Sequence, residues 1–371
     1  MKYIDDFRDR RWIDNLIQAI HAEARADHQY RLMEFCGGHT HSLYRYGLLQ
    51  LLPKSIKMIH GPGCPVCVLP TGRLDNAIGI AERPDVILCS YADMLRVPAS
   101  EKKTLLKARA EGADVRMVYS TTDALQIARD NPDKQVVFFA VGFETTTPAT
   151  AVALKLAQQQ QLKNFSVFCN HVLTPPAMRG ILAQDDVTID GFVGPGHVST
   201  VIGRDAYGFA ARDYHKAVVV SGFEPADLLR SIQLLIRQLN DGRSDVENEY
   251  SRAVSDAGNI VAQQLMAEVF SLRARFEWRG LGMIPDSALQ ISDAFADYDA
   301  EKRFNTPAVS SSDHKACECA AILCGRKRPQ DCRVFGTACT PDNPLGSCMV
   351  SSEGACAAYY SYGRHQKRQA S

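Results

Sequence analysis

Apolar residues recur three and four apart between residues 5 and 25, where Trp12, Leu16, Ile17 and Ile20 share one face, and they predict an amphipathic helix. A short apolar run at 31–35 predicts a strand, 42–52 a helix, and the run 56–59 a second strand. The pattern then alternates: helix 74–81, strand 86–89, helix 99–111 closing at Gly112, strand 115–119, helix 122–129, strand 136–141, and a helix to about residue 159. Such alternation predicts α/β layers built on parallel sheets. Beyond a strand at 217–220, helical spacing predicts helices at 225–239, 247–272 and 286–296. Residues 305–315 read as a loop, and apolar periodicity is poor from residue 317 onward.

Short matches recur at a fixed offset. Phe35-Cys36 reappears as Phe168-Cys169, and Gly61-Pro62-Gly63 as Gly194-Pro195-Gly196, both 133 residues on. Asp93-Met94-Leu95-Arg96 is echoed by Asp227-Leu228-Leu229-Arg230, one residue out of step. This predicts a duplicated α/β unit, with Cys169, His171 and His197 standing where the first copy has Cys36, His39 and Cys64. The expected organisation is two related α/β domains, 1–125 and 126–240, and a C-terminal module of helices and loops, 241–371. The boundaries are approximate, because duplicated units can exchange segments.

Composition narrows the class. Forty-two acidic and forty-two basic residues balance, which removes a bulk electrostatic case for nucleic acid or an anionic membrane. The charged start MKYIDDFRDRRWID lacks the apolar stretch of a signal peptide, and no apolar run is long enough to span a bilayer. A cytoplasmic protein is expected. Twelve cysteines are many for that compartment, where metal binding or redox work is a better expectation than structural disulfides. Five lie within residues 36–169 and seven within 317–356.

The motif His60-Gly61-Pro62-Gly63-Cys64-Pro65-Val66-Cys67 follows a strand, and its glycines and proline force a turn. Two thiols three positions apart can share a metal or close as a disulfide. Cys36-Gly37-Gly38-His39-Thr40-His41 also joins a strand to a helix start, where backbone N–H groups favour a thiolate. His39 and His41 can act as ligands, donors or proton carriers. Cys36, Cys64, Cys67 and Glu144 all fall just after strands, the place where parallel sheets bind ligands. The tail carries Cys317, Cys319, Cys324, Cys332, Cys339, Cys348 and Cys356 among glycines, prolines and charges, so a metal centre is expected to supply its fold. Zinc and iron–sulfur both suit thiolate cages, and the wide spacings favour a [4Fe–4S] cluster.

Taken together, CGGHTH, GPGCPVC, GFETTTP, GPGHVS and CTPDNPLGSCMVSSEGACAAYYSYG resemble the HypD family of [NiFe]-hydrogenase maturation proteins over nearly the whole chain. The resemblance implies two α/β domains with an iron–sulfur module. It also implies a redox-active scaffold that, with the small chaperone HypC, holds iron while an Fe(CN)2CO unit is assembled. Cyanide would come from HypE, and the product would pass to the hydrogenase large subunit. By motif, Cys36 is implied as the iron thiolate and Cys64 and Cys67 as the redox pair. Cys319, Cys332, Cys339 and Cys356 are implied as [4Fe–4S] ligands, leaving Cys317, Cys324 and Cys348 over. His39, His197 and Glu144 fall in motifs implied to line the same cleft, and Glu353 stands three residues before a cluster ligand. The role is that of an assembly scaffold more than a turnover enzyme. The alternative is a stand-alone iron–sulfur dithiol/disulfide oxidoreductase, although no nucleotide fingerprint G-x-G-x-x-G and no P-loop is present.

Overall fold

The computed structural model describes residues 5–184, 188–307 and 313–364. Residues 308–312 of the expected loop lie outside the described residues, as do 1–4, 185–187 and 365–371. Eleven strands are found among the described residues: β1 (Tyr30–Glu34), β2 (Ile56–His60), β3 (Val86–Ser90), β4 (Asp114–Met117), β5 (Gln135–Gly142), β6 (Phe165–His171), β7 (Gly191–Pro195), β8 (Ala217–Ser221), β9 (Val246–Asn248), β10 (Phe270–Trp278) and β11 (Gly282–Ile291). They form a five-stranded sheet in the order β2-β1-β7-β8-β9, a four-stranded sheet in the order β4-β3-β5-β6, and the antiparallel hairpin β10-β11. Every pairing inside the two larger sheets is parallel. The protein is thus α/β with parallel sheets.

Parallel strands covered on both faces must be apolar throughout. Accordingly β8 (AVVVS) is buried at every position, and β5 (QVVFFAVG) at every position after the first. One face of the five-stranded sheet is covered by the helices Arg10–Glu23 and Pro225–Asn240, which bring Leu16, Ile20, Ile232 and Leu235 onto Leu32 and Val219. Each such side chain contributes about 1.5–3 kcal/mol. Among the described residues no helix is long and apolar enough to cross a membrane.

The two sheets are interleaved along the chain. It leaves the five-stranded sheet after residue 60, builds the four-stranded one between 86 and 171, and returns at 191. Strands on both sides of residue 125 therefore contribute to both sheets. The offset of 133 does not relate one sheet to the other. Phe168-Cys169 lies inside β6 in the four-stranded sheet, whereas β1, β2 and β7 all belong to the five-stranded one.

Beyond residue 98, three helices differ from expectation. Residues 247–272 contain only the helix Ile260–Val269, flanked by β9 and by β10. Residues 286–296 are the end of β11 and part of a 3-10 turn, Asp293–Tyr298. The cause is visible in β10, where Phe270, Leu272, Ala274, Phe276 and Trp278 alternate with polar residues in strict period two. Residues 99–111 form a 3-10 turn and then the helix Leu105–Ala110, which starts where Thr104 Oγ1 accepts from the Lys107 N–H at 3.0 Å.

Candidate functional site: a thiol cleft and a cysteine-lined tail

The ends of β1 and β2 run side by side, with Glu34 paired to His60 in register. The helix after β1 starts at Gly37 rather than at 42, so Cys36 is its N-cap and the CGGHTH motif is its first turn. The turn after β2 lies directly against that N-cap. The Gly37 N–H donates to the Gly63 carbonyl at 3.0 Å. A Cβ at Gly63 would stand 2.3 Å from the Cys36 nitrogen, so only glycine fits there. Cys64 in turn caps the short helix Pro65–Val68, its Sγ accepting from the Cys67 N–H at 3.3 Å. Cys64 and Cys67 are joined as a disulfide, with Cα atoms 5.2 Å apart. A cavity of about 480 Å³ opens at these strand ends, lined among others by Cys36, Gly63, Asp93, Thr146, His197 and Glu353. It is the crevice in which open parallel sheets bind ligands.

Electrostatics here differ from the expectation drawn for a helix start. Burial pushes the Cys36 thiol well above its ordinary pKa, and the charges of Glu353 and then Glu34 add to this. The N–H groups of Gly38 and His39 pull the other way and lose. With only 7% of its surface exposed, the side chain rests as a thiol. Glu353 is itself pushed up, first by burial and then by Asp93 and Glu34.

Glu34 is the residue the sequence reading missed. It is fully buried and accepts from the Cys36 N–H at 3.0 Å and from the Thr40 hydroxyl. Its Oε1 lies 2.9 Å from His60 Nδ1, and His60 Nε2 lies 2.8 Å from the Tyr44 hydroxyl. The available signal was a lone carboxylate ending the apolar run before Phe35-Cys36.

Of the candidate histidines, His197 opens into the cavity, whereas His39 is buried behind its wall. The His39 Nε2–H donates to the Ser221 carbonyl at 3.2 Å, and burial lowers its pKa to about 3, so the ring stays neutral. Glu144 does not reach the cavity either. It accepts from the Thr174 N–H at 2.8 Å and hydroxyl at 3.0 Å, holding the start of the helix Thr174–Leu182. The expected second constellation is not assembled. Cys169 sits in an apolar core with its thiol on the Leu289 carbonyl, and His171 bonds Thr150.

The tail gathers six of its seven cysteines, Cys317, Cys319, Cys332, Cys339, Cys348 and Cys356, around one small cavity. Cys324 lies apart, its thiol donating to the Gly280 carbonyl at 3.1 Å. Cys319 is joined to Cys348 as a disulfide, whereas Cys317, Cys332, Cys339 and Cys356 are free thiols. All four cysteines implied by resemblance as cluster ligands, Cys319, Cys332, Cys339 and Cys356, line this cavity. Cys317 and Cys348 line it as well, beyond the four that a cluster takes. Burial first, and then Cys339, Cys317 and Cys332, drive the Cys356 thiol far up, so four thiolates there would repel one another. Among the described residues no three His, Cys, Asp or Glu side chains converge tightly enough for a single metal ion. The tail also touches the first disulfide. Ser347 Oγ donates to the Cys67 carbonyl at 2.9 Å and lies 3.8 Å from Cys319 Sγ.

These features define a class of α/β protein with a thiol on the wall of a cleft, a buried disulfide beginning in the turn packed against that thiol, and a cysteine-lined tail touching the disulfide. The model of the HypD family, described as hydrogenase formation hypA family, matches residues 11–363. The hydrogenase maturation factor HypD2 of Bradyrhizobium diazoefficiens is 60% identical over 380 residues, covering 100% of both chains. HypD of Azotobacter vinelandii is 60% identical, covering 99% of this chain and 98% of its own. HypD of Escherichia coli K12 is 46% identical over 100% of both. The chain belongs to the HypD family of hydrogenase maturation factors.

Proposed function

We propose that the chain is the redox-active scaffold on which, together with HypC, iron is held while Fe(CN)2CO is assembled, with cyanide supplied by HypE and delivery to the hydrogenase large subunit. The observation that carries this is the direct contact between the turn bearing Cys36, which lines the cleft, and the turn leading into the Cys64–Cys67 disulfide. A low-spin iron with cyanide and carbon monoxide favours soft donors, and thiolate is the soft donor a protein has. The Cys36 proton leaves when the cation arrives, because a positive charge removes the burial penalty that keeps the thiol protonated. The Cys64–Cys67 disulfide can take up two electrons and two protons and become two thiols, starting in the turn packed against Cys36.

The tail fits a [4Fe–4S] cluster held by Cys319, Cys332, Cys339 and Cys356 as thiolates, since all four line one small apolar cavity. When bound, such a cluster supplies single electrons. The chain's own part is to keep water from it and to hold Ser347 between Cys319 and the Cys64–Cys67 disulfide.

The stand-alone oxidoreductase reading needs a substrate to reach the disulfide. Cys64 is 4% exposed and Cys67 0%, which disfavours exchange with an outside thiol. Infrared spectroscopy on the chain copurified with HypC tests the scaffold role. Cys36→Ala removes the nitrile and carbonyl bands and leaves the absorbance of the tail unchanged; bands that persist in that variant refute the role given to Cys36.

A further inference from the structure

The second Gly-Phe-Glu, Gly222 to Glu224, has no part in the site so far, yet its aromatic ring touches both halves of the cleft wall. Phe223 stacks on His197 with ring centres 3.8 Å apart and planes 21° apart. The same ring lies 4.9 Å from His39. Its two edges meet the two glycine motifs. A Cβ at Gly38 would stand 2.9 Å from Cε1 and 3.0 Å from Cδ1, and one at Gly196 would stand 3.0 Å from Cε2 and 3.2 Å from Cζ. The second glycine of CGGHTH and the last glycine of GPGH are therefore the openings that admit one ring.

The loop bearing that ring is fixed from behind. The Gly222 N–H donates to Glu249 Oε2 at 3.4 Å, and the Glu224 N–H to Asp227 Oδ2 at 3.1 Å. Arg252 holds Asp227 at 2.6 Å, and Tyr250 meets the Phe223 ring edge-on at 6.0 Å. On the cleft side the preceding Ser221 carbonyl takes the His39 Nε2–H. A half-buried Phe with this much support does more than fill space.

We propose that Phe223 is a positioning residue of the cleft: wedged between Gly38 and Gly196, it sets the two helix starts against each other and aims His197 at the cavity shared with Cys36. The proposal rests on the scaffold reading for its consequence but not for its geometry. A stacked imidazole keeps one face covered and one edge free, so it reaches a guest at Cys36 in a single orientation. With the ring gone, His197 has no face to lie on and rotates toward solvent.

The test compares Phe223→Leu, Phe223→Tyr and Gly38→Ala in the full chain. The absorbance of the tail and the thermal midpoint serve as controls for folding. In Phe223→Leu the His197 titration, followed by NMR, moves up toward the ordinary histidine range, because packing lowers it in the native protein. Iron retained after copurification with HypC falls by roughly tenfold or more. Phe223→Tyr keeps the stack and both properties. Should Phe223→Leu not fold, Gly38→Ala carries the same test, since its methyl displaces the ring by direct contact. A native His197 titration together with native iron retention, in whichever of these two variants folds, overturns the proposal. The titration needs no iron, so it decides the role of Phe223 even if Cys36→Ala protein also retains iron and the scaffold reading falls.

Discussion

At the scale of single residues, burial decides chemistry more than sequence neighbours do. Cys36 stands at a helix start, which favours a thiolate, yet enclosure by Glu34 and Glu353 keeps it a thiol. Glu144 shows the same effect in a form that stability can report. Burial raises its pKa to about 7, against about 4.5 for an exposed carboxyl. The folded state holds this proton more tightly than the unfolded one, so the group's contribution is fully present below about pH 4.5 and declines as pH rises through about 7. The loss is about 3 kcal/mol when complete. In Glu144→Gln, denaturant midpoints measured across that range flatten, because the amide carries no charge at any pH. None of this was legible in the sequence. GFETTTP placed Glu144 after a strand, and only the fold shows it turned toward Thr174. Glu34 was passed over for the same reason, since a carboxylate inside LMEFC declares nothing until His60, Thr40 and Cys36 surround it.

At the scale of elements, the contact between two turns makes the site. Gly63→Ala forces a methyl onto the Cys36 backbone, and with no flexible side chain there to yield it costs about 2–3 kcal/mol, read as a lower urea midpoint. The tail makes a second statement at this scale. Cys319→Ala abolishes the visible absorbance and the iron and sulfide content of reconstituted protein, whereas Cys348→Ala retains them. Loss of colour in Cys348→Ala with retention in Cys319→Ala overturns the ligand set implied by resemblance. Spacing marked this segment as a thiol cage but could not say that six of its seven cysteines meet at one cavity while Cys324 turns away to the Gly280 carbonyl. The hairpin β10-β11 was legible in principle, because FSLRARFEW alternates strictly. A helical run just before it obscured where the period changed.

At the scale of the whole molecule, strands far apart in sequence complete one another. β1 pairs with β2 on one side and with β7 on the other, at Leu32↔Gly191, Met33↔Phe192 and Glu34↔Val193. A fragment ending at residue 125 leaves the inner edge of β1 bare and splits the other sheet between β3 and β5. Such a fragment shows no cooperative unfolding by circular dichroism, and a sharp transition would mean that the first 125 residues hold together alone. The α/β class and most strands were readable from alternation, since buried parallel strands advertise themselves as apolar runs. Their order was not, because sheet order depends on which edges meet across long connections, and short repeated motifs offered a false guide.

The interleaving bears on how the polypeptide is made. On a ribosome adding about 5–20 residues each second, β1 emerges on the order of ten seconds before β7. Throughout that interval the strand has no inner neighbour, and the cleft lacks the part of its wall that Pro195, His197 and Glu353 supply. The pocket is complete only once the later stretch has been synthesised and threaded back, so a nascent chain offers the thiol without the finished site.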